Sequence, residues 1–305
     1  MSVRFDERVA IVTGAGGGLG RAHAHALAAR GAKVVVNDFG GARDGTGGSA
    51  SPAQTVVDEI KAAGGEAIAA VCSVTDEAGV AEMVEQAMKA WGRVDILVNN
   101  AGVLRDKSFA KMTIDDFRFV LDVHLMGAVI CTKAVWPIMQ EQNYGRVVFT
   151  ASASGLYGNF GQSNYGAAKM ALVGLMQTLG LEGAKHDIRV NCLAPTAATR
   201  MTEGVIPEQV LRLMRPEAVS PGLLALVAND APNRTIMCAG AGAFSRAYVT
   251  YTMGAFVGAG EQAAEEIIAR FAEISDREGE SLPENAMVQG MSEATRALEA
   301  MEKKP

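Results

Sequence analysis

A tyrosine and a lysine stand four residues apart in the stretch "SNYGAAKM", separated by small residues: Tyr165 and Lys169. Side chains at positions i and i+4 of a helix share one face, so the two groups would meet if this segment is helical. A positive charge beside a phenol favours the phenolate, which makes the pair a candidate acid–base device. The same spacing also occurs on helix surfaces without any role, so the pair alone leaves both interpretations open.

A glycine-rich stretch, "TGAGGGLG" at 13–20, follows an apolar run and precedes an alanine-rich one. Glycines there allow a tight turn, close approach of the backbone to a pyrophosphate, and close packing of helix on strand. The free N–H groups and the dipole of the helix start would stabilise phosphates. In this context the stretch predicts a dinucleotide-binding loop, and an ordinary glycine loop is the alternative.

An acidic residue ends the next apolar run, "VVVNDFG", where Asp38 lies about 20 residues after the glycines. A carboxylate at that spacing bonds the ribose 2′-hydroxyl and repels a 2′-phosphate, so it favours NAD over NADP. Two alternatives are weaker. Asp38 could cap the loop that follows it, and Arg21 could attract a 2′-phosphate.

Short β-branched runs alternate with longer alanine-rich segments along most of the chain. The predicted strands are 8–14, 33–38, 66–73, 94–102, 145–152 and 188–195. The predicted helices are 19–30, 52–63, 76–90, 113–142 and 164–186. Nearly all the strands are continuously apolar, which is typical of a parallel sheet buried on both faces. The alternation predicts an α/β fold, a doubly wound parallel sheet with helices on both faces.

The composition narrows the class of protein. With 305 residues, 49% of them hydrophobic, and a net charge of −6, the chain can bury a sizeable core and is not expected to bind nucleic acid. Its start lacks the apolar run of a signal peptide, and we expect no membrane span. The four cysteines are far apart, so we expect reduced thiols, no disulfide framework and no metal site. A soluble cytoplasmic protein is the expectation.

Four spaced motifs carry a family resemblance. They are T-G-x-x-x-G-x-G at 13–20, "NNAG" at 99–102, Y-x-x-x-K at 165–169, and Ser152, 13 residues before the tyrosine. Together they resemble the short-chain dehydrogenase/reductases, which implies a Rossmann-type fold. Longer stretches, among them "DVHLMGA" and "SASGLYGNFGQSNYGAAK", resemble the (3R)-hydroxyacyl-CoA dehydrogenase subgroup to about residue 275. The alternation of β-branched runs and helical segments stops after about residue 240, so we expect a catalytic domain at 1–240 and a helical extension of it at 241–305.

The resemblance implies roles for individual residues. Tyr165 would be the general acid–base, Lys169 would bond the nicotinamide ribose and lower the tyrosine's pKa, and Ser152 would hold and polarise the carbonyl. An unperturbed phenol is a poor base at neutral pH, so the tyrosine needs a positive neighbour. The implied cofactor-binding residues are Gly14, Gly18, Leu19, Gly20, Asp38, Ser73, Val74, Asn100, Ala101, Gly102, Tyr165, Lys169, Pro195 and Thr196.

The chain departs from the wider family at three positions. His124 stands where an asparagine is often the fourth catalytic residue, and it is either a proton relay or a packed histidine. Thr196 follows Pro195 where the family usually has glycine. Ser73 stands where an aspartate is expected to touch the adenine, which weakens that contact. Asn99 has an expected structural role.

Further residues would line the substrate cleft. Ser154 and Tyr157 lie near Ser152 and are expected there. Arg105, Lys107 and Arg200 could meet acyl-CoA phosphates, although three solvated surface cations are the favoured interpretation. The methionine-rich stretch 200–214 predicts an adaptable lid over a long acyl chain or steroid, with core packing as the alternative.

These features predict an NAD-dependent oxidoreductase that oxidises a secondary alcohol to a ketone. The favoured substrate is a (3R)-3-hydroxyacyl-CoA or a CoA-linked steroid side-chain intermediate. The alternatives are a hydroxysteroid dehydrogenase, a 3-oxoacyl carrier-protein reductase and, from another class, a non-catalytic NAD-binding scaffold. The predicted helix 164–186 is apolar almost all round, which indicates cover on both sides and hence a homodimer or homotetramer.

Overall fold

A computed structural model of the protein describes residues 3–42, 44–197 and 212–302. The chain divides into two compact units, residues 1–246 and 247–305. This division falls beyond position 240 because one more strand joins the sheet after that point. That residues 241–305 extend the catalytic domain stays a prediction.

An eight-stranded sheet forms the centre of the first unit, in the order β3-β2-β1-β4-β5-β6-β7-β8. The strands are β1 (Val9–Thr13), β2 (Lys33–Asn37), β3 (Glu66–Ala70), β4 (Ile96–Asn99), β5 (Gly145–Thr150), β6 (Ile188–Thr196), β7 (Ile236–Gly240) and β8 (Ala243–Ala247). Neighbouring strands from β3 to β7 are all parallel. The doubly wound parallel sheet and its first six strands are confirmed, whereas β7 and β8 were not predicted.

Helices cover the sheet in two groups. They are α1 (Gly18–Ala28), α2 (Ser51–Ala62), α3 (Glu77–Trp91), α4 (Ile114–Leu121), α5 (Gly127–Gln142), α6 (Ala153–Tyr157), α7 (Ser163–Glu182) and α8 (Ser220–Leu226). Helix α1 contacts both α2 and α8, and α3, α4, α5 and α7 form the other group around a π-helical turn. Side chains cap the amino ends of three of them: Asp76 accepts an N–H of α3, Thr113 one of α4 and Ser152 one of α6.

One long helical run, Ile114–Gln142, joins α4 and α5 through the π-helical turn Asp122–Met126. Its length and hydropathy would suffice for a membrane span, and among the described residues it is the single run that passes this test. The run contacts α3, α7 and strands β4 and β5, and it fully buries Val120 and Val135. The composition of the run is therefore that of a core helix.

The described part of the second unit, up to residue 302, contains three helices, α9 (Ala263–Ala269), α10 (Phe271–Ile274) and α11 (Ala286–Glu302). An antiparallel bridge between Tyr251 and Ser281 closes a long loop through two backbone hydrogen bonds, at 3.0 and 2.9 Å. The hydroxyl of Thr252 donates to the carbonyl of Ile274 at 2.9 Å and ties the loop to α10. The predicted helical character of this segment is thus observed.

Candidate active site

The carboxyl ends of the parallel strands meet at one edge of the sheet, and the candidate residues lie there. The chain order reverses between β1 and β4, which opens a crevice outside their ends. The glycine loop follows β1, segment 100–102 follows β4, Ser152 follows β5, and residues 195–196 end β6. Helix α7 contacts β5 and β6 and carries Tyr165 and Lys169. The fold thus brings together residues that are far apart in the sequence.

The glycine loop needs its glycines for two different reasons. Gly14 and Gly18 have φ values of +61° and +53°, in the left-handed region that other residues avoid. Gly20 is required by contact, because a Cβ there would lie 2.2 Å from the carbonyl oxygen of Gly14. Helix α1 then begins without a side-chain cap and without an acidic residue in its first turn. Its first N–H groups, including that of Leu19, are therefore suited to bind phosphate.

A clamp of hydrogen bonds joins this loop to the segment after β4. The Thr13 hydroxyl accepts the N–H groups of Asn100 and Ala101 at 2.9 and 3.0 Å. The Asn100 side-chain amide donates to the carbonyls of Thr13 and Gly14 at 2.9 and 3.1 Å. The side-chain amide of Asn100 is therefore bonded to the backbone. Together these four hydrogen bonds fix the width of the crevice. Neighbouring Asn99 donates to the Thr132 hydroxyl at 3.1 Å, a structural contact.

Asp38 lies beside the glycine loop, as its spacing predicts. Its carboxylate accepts the N–H of Gly16 at 2.7 Å and the N–H of Gly40 at 2.6 Å. Arg21 points elsewhere, because its guanidinium bonds Glu59 at 2.9 Å. Glu59 also accepts from His25, and its pKa is lowered chiefly by the Arg21 hydrogen bond. The cation that might have favoured a 2′-phosphate is therefore already paired.

The lysine of the candidate pair is almost completely buried. Lys169 is 3% exposed, and its ammonium donates to the carbonyl of Thr150 at 2.5 Å. Burial lowers the pKa of Lys169 to about 7, since a charged amine is poorly solvated there. Its Nζ lies 5.5 Å from the centre of the Tyr165 ring. The pair therefore does share one helical face, and its setting is a buried site and not a solvated surface.

The phenol of Tyr165 faces opposing influences. Burial raises its pKa, whereas hydrogen bonding to Ser152 lowers it, and the charge of Asp106 raises it slightly further. Ser152 also caps α6, where its hydroxyl accepts the N–H of Ser154 at 3.1 Å. Among the protein's own groups burial dominates, so a phenolate here requires additional positive charge.

His124 lies in the π-helical turn and is buried against Tyr165. The two rings meet edge to face, with centroids 5.1 Å apart. Its Nε2 lies 2.8 Å from the carbonyl oxygen of Val103 and 3.1 Å from the N–H nitrogen of the same residue. Burial lowers the pKa of His124 well below its usual value, and the charge of Lys169 adds to this effect. Gly102 makes room for the ring, because a Cβ there would lie 2.3 Å from it.

A small cavity of about 10 Å³ lies beneath these residues. Lys169, His124 and Asn99 line it, and His124 Nδ1 and Asn99 Oδ1 are buried with no hydrogen-bond partner among the described residues. A volume of that size suits about one water molecule, which needs two or more polar partners. Val74 also lines the cavity.

The other predicted residues occupy more peripheral positions. Ser73 bonds the Thr75 hydroxyl at 2.8 Å after β3. Tyr157 is exposed, and Ser154 donates to Gln162 at 2.8 Å. Thr196 ends β6 opposite Gly240, where a Cβ would approach its carbonyl oxygen to 2.8 Å. Arg200 and most of the predicted lid at 200–214 lie outside the described residues.

Two of the three expected surface cations form ion pairs. Arg105 and Lys107 each donate to the Asp116 carboxylate at 2.9 Å, so both are paired with one acidic group. These hydrogen bonds lower the pKa of Asp116 to about 2. Sequence reasoning missed this cluster because α4 must fold back over the loop after β4 before the three side chains meet.

Comparison with known sequences shows the family of the chain. The short chain dehydrogenase family matches residues 8–209. The chain is 55% identical over 219 residues to the peroxisomal multifunctional enzyme type 2 of Drosophila melanogaster, covering 72% of this chain and 36% of that enzyme. It is 48% identical over 274 residues to a short-chain type dehydrogenase/reductase of Mycobacterium tuberculosis, covering 90% and 96% of the two chains. The chain thus spans about a third of the fly enzyme and nearly all of the mycobacterial one.

Solved structures give the same answer. The full-length fly enzyme superposes with a TM-score of 0.79 at 37% identity, over 99% of this chain and 50% of that chain. A 7α-hydroxysteroid dehydrogenase, solved with NADH and 7-oxo glycochenodeoxycholic acid, superposes with a TM-score of 0.71 at 30% identity, over 78% and 95% of the two chains. The resemblance carried by the motifs is confirmed. The chain belongs to the short-chain dehydrogenase family and is an oxidoreductase that acts on a CH–OH group with a nicotinamide cofactor.

Proposed function

We propose that the protein is an NAD-dependent dehydrogenase that oxidises the 3-hydroxyl group of a (3R)-3-hydroxyacyl-CoA to a ketone. The observation that carries the reaction type is the buried pair of Tyr165 and Lys169 at the edge of the sheet where the glycine loop and Asp38 also lie. Support for the thioester substrate comes from two relatives. One is named a peroxisomal multifunctional enzyme type 2 and the other a peroxisomal hydratase-dehydrogenase-epimerase.

The proposed chemistry moves one proton and one hydride out of the substrate. Ser152 would hold the substrate oxygen, and the Tyr165 phenolate would take the hydroxyl proton as the C=O bond forms. When bound, the oxidised nicotinamide accepts the hydride and adds positive charge. Lys169 would contribute further positive charge, since its pKa of about 7 leaves a substantial protonated fraction at neutral pH. This added charge would offset the burial that raises the pKa of Tyr165.

His124 would serve this reaction as a proton relay. Its Nε2 lies within hydrogen-bond distance of both a donor and an acceptor of Val103, so either neutral tautomer keeps one bond there. The Nδ1 can then donate or accept towards the cavity that it shares with Lys169. The relay predicts a moderate loss of turnover, about three- to tenfold, in His124→Asn.

Asp38 would select NAD. Its carboxylate lies against the loop that would hold the pyrophosphate, and Arg21 is occupied by Glu59. We expect Asp38→Ala to raise the KM for NAD⁺ about tenfold and to make NADP⁺ usable, because the repulsion of the 2′-phosphate is removed. Initial rates with both cofactors check this. A variant that keeps its preference for NAD⁺ would remove the role from Asp38.

The test of the substrate is the rate of NADH formation from a chain-length series of (3R)- and (3S)-3-hydroxyacyl-CoAs. Free hydroxysteroids and 3-hydroxyacyl carrier-protein thioesters run alongside, and Tyr165→Phe is the blank. Turnover confined to the (3R) CoA thioesters is the expected result. Turnover of steroids alone would favour the hydroxysteroid reaction, which the 7α-hydroxysteroid dehydrogenase relative represents. Nucleotide binding without turnover of any alcohol would favour the scaffold alternative.

Two further predictions concern the state of the protein. Helix α7 keeps Met170 and Leu181 exposed on its outer side, 42% and 48%, which supports a homodimer or homotetramer. Sedimentation analysis at micromolar concentration checks this.

A cytoplasmic location stays a prediction, and relatives named as peroxisomal make the peroxisome its alternative.

A further inference from the structure

Asn164, the residue before Tyr165, is completely buried and uses both ends of its amide. Its Oδ1 accepts the backbone N–H of Tyr165 at 2.7 Å. Its Nδ2 donates to the carbonyl of Arg105 at 3.2 Å and approaches that of Asp116 at 3.5 Å. The side chain therefore connects the backbone of the tyrosine to two other segments of the chain.

The start of α7 explains why this contact matters. The first N–H groups of a helix have no partner within the helix, and Gln162, the residue before α7, provides no side-chain cap. The N–H of Tyr165 is one of these groups, and Asn164 satisfies it. Without this acceptor, the first turn would hold the tyrosine less firmly, although Gly166 would keep its bond to the carbonyl of Gln162 at 2.7 Å.

The Nδ2 of Asn164 bonds the segment around Arg105, and other contacts hold that segment in place. Arg105 and Lys107 both donate to Asp116, and the Arg105 guanidinium lies 4.3 Å over the ring of Phe119. Asp116 is fixed in turn, since its N–H donates to the Thr113 hydroxyl at 3.1 Å. The loop after β4 is therefore anchored to α4.

The same loop already serves the site, because its first residues include Val103, which holds the ring of His124. Two more contacts tie it to the approach to α7: the N–H of Lys107 donates to the carbonyl of Gly161 at 2.9 Å, and Gln162 donates to Asp106 at 2.8 Å. Among the described residues, Asn164 is the side chain that connects this anchored loop to the backbone of Tyr165.

We propose that Asn164 is a positioning residue for Tyr165, and that the Asp116 cluster with Arg105 and Lys107 fixes the segment to which Asn164 holds. The inference rests on the proposed role of Tyr165 as the proton acceptor. A displacement of about 1 Å at a reacting group can lower a rate by about 10²-fold, so loss of the tether should act on turnover more than on binding.

The first experiment compares Asn164→Ala with a matched control, Asn191→Ala. Asn191 is equally buried, bonds Leu226, Pro232 and Thr235, and lies in β6 away from the proposed chemistry. We expect kcat of Asn164→Ala to fall about 10- to 100-fold with the NADH dissociation constant changed less than threefold. Its solvent isotope effect on kcat should rise, because proton transfer becomes limiting. The control should lose stability and keep its kcat per folded molecule within about twofold.

A second variant keeps the proposal testable if Asn164→Ala folds poorly. Asp116→Asn weakens the anchor from the other end, and we expect kcat to fall about fivefold. In a double-mutant cycle the two substitutions should be far from additive, since both release the same segment. Additive effects, or an Asn164→Ala enzyme with kcat within twofold of the parent, would overturn the inference. Turnover retained in Tyr165→Phe would instead overturn the proposed function on which it rests.

Discussion

The two edges of the sheet bury charge in opposite ways. At the amino edge, the Asp95 carboxylate, which is fully buried, accepts from Arg8 at 2.9 Å, from Arg93 at 2.7 and 2.8 Å, and from the N–H of Val9 at 2.9 Å. The buried guanidinium of Arg146 has five hydrogen bonds, which involve Gly145, Asp187, Ala228 and Asn229. Its Cζ also lies 4.2 Å over the ring of Tyr144, and that of Arg8 lies 3.6 Å over the same ring. Each of these two buried charges has several hydrogen-bond partners.

At the carboxyl edge the same fold leaves polar groups without partners. Three of the five buried side-chain atoms that have no hydrogen bond among the described residues lie here: Asn99 Oδ1, His124 Nδ1 and Thr150 Oγ1. The other two are His23 Nε2 in α1 and Thr235 Oγ1 just before β7. Lys169 is buried at the carboxyl edge with its pKa lowered to about 7. Such buried groups lower the free energy of unfolding when no ligand is bound.

The difference separates stability from function. A buried group with all its partners holds strands and loops together, and its loss is felt in folding. A buried group with missing partners is tolerated where a ligand or a reaction needs it. Substitutions at the two edges should therefore affect different measurements, and each prediction below contrasts them.

Tyr165→Phe should give the largest effect. It removes the group that accepts the proton, so we expect turnover to fall by about 10³-fold or more. The free energy of unfolding should change by less than about 1 kcal/mol, because the ring and its contact with His124 are kept. NADH titration by fluorescence should give an unchanged dissociation constant. An enzyme that retains a tenth of its activity would show that Tyr165 is not the proton acceptor.

Lys169→Met should lower turnover by about 10²-fold, since the positive charge beside the phenol is lost. Its effect on stability depends on pH. Folding lowers the pKa of Lys169 from 10.5 to about 7, so between these values the unfolded chain binds more protons than the folded one. Stability of the parent protein should therefore rise with pH across this window, by on the order of a few kcal/mol in total.

Urea unfolding without added nucleotide, at pH values from 6 to 10, measures this slope. The methionine variant should lack the part of the rise that Lys169 supplies and should gain most relative to the parent at the acid end. Equal slopes for the two proteins would mean that Lys169 is not the group whose burial is costly.

Asp95→Asn tests the other edge. It breaks a buried ion cluster and leaves Arg8 and Arg93 with a neutral partner, so we expect a loss of about 3 kcal/mol in the free energy of unfolding. Turnover per folded molecule should stay within about twofold, because the edge lies at the opposite ends of the strands. A selective loss of kcat with little change in stability would erase the contrast between the edges.

The contrast also shows what the sequence could and could not predict. Nearly all of the first six strands are continuously apolar, and this pattern predicts all six. Strand β8, with the sequence "AFSRA", is mostly exposed and gave no such signal. The glycine loop, Asp38 and the Tyr165–Lys169 pair depend on local spacing, and the structure brings them to one edge of the sheet, where their roles stay predictions.

Other features depend on contacts between distant segments. Asp116 is paired with Arg105 and Lys107 only because α4 folds over the loop after β4, and Asn164 reaches that loop only in the folded chain. The buried Arg146 lies within an apolar strand, where nothing local indicates that the Asp187 carboxylate and four backbone carbonyls will satisfy it. Periodicity and spacing predict elements and motifs, whereas the partners of buried polar groups are set by tertiary structure.

The smallest expected effects come from a matched pair of hydroxyl deletions. Thr150→Val removes a buried hydroxyl that has no partner, so the free energy of unfolding should stay the same or rise by up to about 1 kcal/mol. Tyr144→Phe removes a hydroxyl that donates to the Asn229 side-chain oxygen at 3.1 Å, and this oxygen keeps its longer bond from Arg8 at 3.3 Å, so stability should fall by about 1 kcal/mol. Urea unfolding of both variants at one pH measures the difference. Equal losses would mean that the Thr150 hydroxyl is satisfied in solution, and that the carboxyl edge is less frustrated than its geometry indicates.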